Sequence, residues 1–66
     1  NAERALFWAK KAAQSGSVEG KMLLASIYFE GKITAKDEAM AKKILHQAAA
    51  EGSPRARYTI NQWGLH

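Results

Sequence analysis

The sequence predicts an all-α fold of about four antiparallel helices built as a repeat. Three observations predict it. Apolar residues recur at helical spacing, Gly-Ser pairs punctuate the chain at 16–17 and 52–53, and the sequence returns on itself after 36 residues. That offset places Ala5, Ala12, Ala13, Gly16 and Ser17 on Ala41, Ala48, Ala49, Gly52 and Ser53. It also pairs Asn1 with Asp37, Lys21 with Arg57 and Leu24 with Ile60.

The first helix is expected near 2–15, where Ala5, Trp8, Ala9, Ala12 and Ala13 share one face and Glu3, Lys10 and Gln14 oppose it. The second, near 18–30, carries Gly20, Leu24, Ile27 and Tyr28 on one side. A third near 36–51 repeats the first stripe as Ala41, Ile44, Leu45, Ala48 and Ala49, and a fourth spans 54–63. Gly16 and Gly52 suit the left-handed position that closes a helix. Ser17 and Ser53 follow as N-caps, and Pro54 takes the first helical position, where its missing N–H costs nothing. Turns this short make antiparallel pairs. Residues 31–36 form a longer turn, after which Thr34 and Asp37 have capping-box spacing.

Composition narrows the function classes. Sixty-six residues, 47% hydrophobic and 24% charged, make one small ordered domain rather than a disordered chain or a large cleft enzyme. Zero cysteines exclude a disulfide scaffold and cysteine-ligated zinc. A net charge of +4 and a pI near 9.7 keep acidic partners in view. No apolar run approaches the roughly 18 residues of a membrane span.

The residues then resemble a known family. The stretch Gly20-Lys21-Met22-Leu23-Leu24-Ala25-Ser26-Ile27-Tyr28-Phe29-Glu30-Gly31 is similar to the first helix of a Sel-1-like repeat. Asp37, Ala41 and Ala48-Ala49 with Gly52 match the second helix, and Ala5, Trp8, Ala12-Ala13 and Gly16 match it again. The resemblance implies a short α-solenoid of the tetratricopeptide-like superfamily, whose members typically act as protein-interaction scaffolds. Its register makes 17–52 one complete repeat, 1–16 the second helix of a preceding one, and 53–66 a degenerate terminal half-repeat. Ile33 stands where the family has a second loop glycine, Asn61 replaces its small residue, and Gly64 its tyrosine. Bacterial relatives are often found in the cell envelope, but the residues themselves leave envelope and cytoplasm both open.

No catalytic, cofactor or metal set is expected. His46 and His66 have no acidic residue three or four positions away, and His46 reads as lying on a solvated face. The stretch from Gly16 to Met22 mimics a phosphate loop, but it has the wrong glycine spacing and Met22 where a magnesium-binding hydroxyl belongs. Lys10-Lys11, Lys42-Lys43, Arg55 and Arg57 lack the base-reading or stacking groups of a nucleic-acid surface, so that function is disfavoured.

The expected function is non-enzymatic protein binding on the concave repeat surface, as an interaction module or adaptor for a peptide or helix, acidic in character. The resemblance assigns that surface to the first helix of each repeat, with Glu19, Met22, Ser26 and Phe29 joined by Arg55, Tyr58, Gln62 and Leu65. Met22 and Phe29 equally suit packing between successive repeats. The alternative is a structural segment of a longer scaffold that self-associates through Ala2, Leu6 and Phe7. Trp8, Leu24, Ile27, Tyr28, Ile44, Leu45, Ile60 and Trp63 should supply most of the core, and Trp8→Ala should be among the most damaging changes, on the order of 3–5 kcal/mol.

Overall fold

A computed structural model describes residues 2–66, the side chain of Ala2 excepted; Asn1 therefore lies outside the described residues, as does Ala2's part in the expected self-association strip. The described residues form four helices: α1 (Ala2–Gln14), α2 (Val18–Glu30), α3 (Glu38–Ala50) and α4 (Pro54–Trp63). No strand occurs among the described residues.

The helix ends follow local chemistry. The Ser17 and Ser53 hydroxyls accept from the Gly20 and Ala56 amides at 3.0 and 3.2 Å, as N-caps should. Gly16 and Gly52 sit at φ of 91° and 98°, where a side chain would be strained. Their amides bond Ala13 and Ala49, while the amides of Ser17 and Ser53 reach Ala12 and Ala48. That paired pattern is a Schellman closure, and α4 repeats it with Gly64 and Leu65 bonding Asn61 and Ile60. Gly64, read from sequence as a lost tyrosine, is thus a helix terminator.

At α3 the expected capping box is not formed. Asp37 itself is the N-cap, its carboxylate accepting from the Met40 amide at 3.0 Å, so the helix starts at Glu38 rather than near 36. The reason lies one helix back: the Asp37 amide donates to the Tyr28 carbonyl at 2.9 Å, pinning the 31–37 turn and delaying helical backbone until after Asp37.

Each helix packs mainly on its neighbours in sequence. Lys21, early in α2, reaches Glu51 just past the end of α3, so these two helices run oppositely. Phe29 and Trp63, late in α2 and α4, stack with centroids 4.3 Å apart and planes 9° apart. The molecule measures 29 × 23 × 14 Å. Its shortest dimension is two helix backbones at the usual 8–10 Å separation, so every helix keeps a face in solvent.

The buried core is the seam between them: Ala9, Leu24, Ala25, Ile27, Ala41, Ile44, Leu45, Ala48, Ala56, Ile60 and Leu65. Five of the eight expected core residues are there, while Tyr28 and Trp63 are half-buried against it. Trp8 is the correction. It is 63% exposed, because only one side of α1 meets another helix and Ala9, not Trp8, points down that seam. Gly20 fulfils its expected close-packing role: a Cβ there would stand 2.5 Å from the Ala12 Cβ and 2.8 Å from backbone atoms. Among the described residues no helix is long and apolar enough to cross a membrane.

Candidate functional site

Capped at Ser17 and Ser53, α2 and α4 flank a groove that runs between them. Glu19, Met22, Leu23 and Ser26 line it from α2; Arg55, Thr59 and Trp63 line it from α4. Four of the eight residues expected from sequence therefore meet in one place. Glu19 and Arg55 are exposed on opposite walls, setting one carboxylate and one guanidinium at the mouth. Ser26 and Thr59 donate their hydroxyls to the Met22 and Arg55 carbonyls, at 3.0 and 2.9 Å, which leaves each oxygen's lone pairs free to accept. Met22 is half-buried and packs against the core while lining the groove. Its position is thus compatible with either placement that the sequence left open, packing between helices or a groove wall.

Phe29, Tyr58, Gln62 and Leu65 are placed otherwise, and Leu65 is buried in the core rather than on a surface. Phe29 is half-buried beneath the stack with Trp63, with the Lys36 ammonium 5.7 Å from its ring centroid, and supports the groove end without lining it. Tyr58 is 64% exposed and Gln62 is exposed, both on the flank of α4 outside the groove. The residues missed were Leu23 and Thr59, with Trp63 assigned to the core alone. A signal existed: Leu23 and Thr59 are related by the 36-residue offset, and each lies one turn after a chosen residue, Glu19 and Arg55.

Two other concave areas lie elsewhere. A recess over α2 is bordered by Lys10, Ala13 and Gln14 of α1 and by Met40, Ile44 and Gln47 of α3. Its floor holds Lys21, Leu24 and Tyr28. The Lys21 side chain is nearly buried and its ammonium pairs with Glu51, a structural role the sequence reading did not assign. The outer face of α3 carries Lys42, Lys43 and His46. His46 is exposed as expected, yet its Nε2 lies 3.0 Å from the Leu65 carbonyl and so ties α3 to the C-terminal segment. Among the described residues no group of three or more His, Cys, Asp or Glu side chains could hold a metal ion.

Comparison with known proteins adds no relative. No protein-family model matches this chain, and neither a curated protein nor a solved structure is significantly similar to it.

Proposed function

We propose that this chain is a Sel-1-like, tetratricopeptide-like segment, a short α-solenoid that acts without catalysis as a protein-interaction module or adaptor. Its partner is a peptide or helix seated between α2 and α4. One observation carries the reading: Glu19, Met22, Ser26 and Arg55, chosen for their positions in sequence, line a single groove. The groove combines an adaptable thioether, an indole edge, two hydroxyl acceptors and one charge of each sign, a mixture suited to amphipathic peptides. Arg55 is the sole cation of that lining and would take a partner carboxylate. Support for the repeat comes from the matching turns at Gly16-Ser17 and Gly52-Ser53 and from packing that follows chain order.

The test is enrichment from nuclease-treated lysate of the source cell with wild type, Arg55→Glu and Ser26→Arg. Both substitutions fall at positions that are not buried, so helicity by circular dichroism should be unchanged. A protein retained by wild type and lost by both variants is the expected result. Equal retention by all three would remove this groove as the binding surface. The exposure of Phe7 and Trp8 favours a second reading, a scaffold segment self-associating through α1. Sedimentation over a concentration range decides that: a strict monomer at high concentration rejects it.

A further inference from the structure

We propose that the recess between α1 and α3 is a second recognition site, separate from the α2–α4 groove. Its occupant is an extended acidic peptide segment of another protein, carrying one apolar anchor side chain. The recess follows from the packing: α1 and α3 each pack on α2 rather than chiefly on one another. An open space of about 450 Å³ is left between them, over α2. Lys10 leaves α1 about 160° around the helix from Trp8, so the recess and the exposed indole lie on opposite sides of α1.

The lining is apolar at its base and held in place. Leu24 and Ile44 are buried, Ala13 is half-buried, and Met40 is 37% exposed at one edge. A thioether on a flexible stem adapts to the shape of an inserted side chain. Lys21 contributes its apolar stem, while its ammonium is already engaged by Glu51.

Hydrogen-bonding groups decide between an extended segment and a helix. The Gln14 amide on α1, the Gln47 amide on α3 and the half-buried Tyr28 hydroxyl on α2 all line the recess. None of the three side chains has a hydrogen-bond partner among the described residues. A carboxamide both donates and accepts, as a peptide group does, so one on each wall matches the open N–H and C=O groups of extended backbone. A helix uses those groups internally and would leave both amides idle.

Charge selects an acidic sequence. Among the described residues no carboxylate lines the recess, whereas Lys10 on the α1 wall is exposed and in no ion pair. Lys43 follows Met40 by three residues and precedes Gln47 by four, which sets a second exposed cation on the α3 edge. Glu51, one turn past Gln47, is taken by Lys21. A second copy offers the turn between α2 and α3 as its longest non-helical connection, but that turn carries Lys32 and Lys36, so like charges would meet. Carboxylates beside the anchor of a foreign segment complement the two rims.

The experiment selects a displayed library of random short linear peptides on the Ser26→Arg variant, in which the α2–α4 groove is obstructed. Enriched peptides should carry glutamate or aspartate beside a single leucine, isoleucine or phenylalanine. By anisotropy they should bind wild type and Ser26→Arg equally, which keeps this site distinguishable from the α2–α4 groove. Lys10→Glu should weaken them about tenfold and Gln14→Ala/Gln47→Ala at least about fivefold, as lost charge-assisted and neutral hydrogen bonds imply. All three positions are exposed, so circular dichroism should be unchanged. A central proline should be tolerated, and a helix-enforcing staple should abolish binding. Enrichment of no peptide, enrichment without acidic bias, or affinity that survives both recess variants overturns the proposal. So does tighter binding of the stapled helical twin, or a dimer in sedimentation that Lys10→Glu dissolves, which makes a second copy the occupant.

Discussion

At Gly20 the first two helices leave no room for a side chain. Alanine would be the better helix former by about 1 kcal/mol, but its Cβ would press on the Ala12 Cβ and on the α1 backbone, which cannot swing aside as a flexible side chain can. We expect Gly20→Ala to lower stability by roughly 1–2 kcal/mol, the overpacking cost exceeding the propensity gain. Urea unfolding checks this, and a stability equal to or above wild type would contradict the contact. The residue is legible in the sequence, since a glycine on the apolar face of a helix announces a close approach. Lys21 is not legible. Its neighbour in space, Glu51, is 30 residues away, and nothing local marks that lysine out from those left in solvent.

Between elements, the Lys21–Glu51 pair joins the first turn of α2 to the α3–α4 turn. Lys21 has a nearly buried side chain, whereas Glu51 is 44% exposed, so the two ends of the pair are unequal. Glu51→Ala leaves an ammonium buried without its counter-charge and should cost about 1–2 kcal/mol, below the range for fully buried pairs because water screens the site. Lys21→Met removes that charge while keeping the apolar stem, and should be neutral or mildly stabilising. Thermal unfolding of both variants provides the check; equal losses would mean that the pair itself, rather than the desolvated lysine, sets the effect. The helices on either side were readable because their termini are local: a serine cap needs only the amide three residues on, and a Schellman closure only the preceding turn. The start of α3 was misplaced because the Tyr28–Asp37 bond that delays it joins residues from two different elements.

Over the whole molecule, two helix layers place the stability in one narrow seam. Leu45 is fully buried there, and Leu45→Ala should cost about 2–5 kcal/mol. Trp8→Ala, expected from the helical wheel to be severe, should instead cost less than about 1 kcal/mol, since the indole lies largely in solvent. Chemical denaturation of the two variants side by side measures the contrast; a large loss for Trp8→Ala would show that α1 is covered in solution. The wheel places Trp8 correctly on the apolar side of α1, but a wheel carries no knowledge of how many neighbours a helix has.

The amino-acid sequence by itself determined the helical class, the four elements, the glycine and serine punctuation and the 36-residue return, because each rests on interactions within a turn or two of chain. It also placed Glu19, Met22 and Ser26 on one side of α2 by helical periodicity, and Arg55 at the α4 position that the 36-residue offset pairs with Glu19. Only the tertiary structure decided that Leu23, Thr59 and Trp63 complete their groove, that Phe29 supports it through a stack, and that Tyr58 and Gln62 stand outside. Periodicity sets the direction in which a side chain leaves its own helix. Whether that direction meets another helix, a groove or water depends on how the helices are set beside one another, which no single helix encodes.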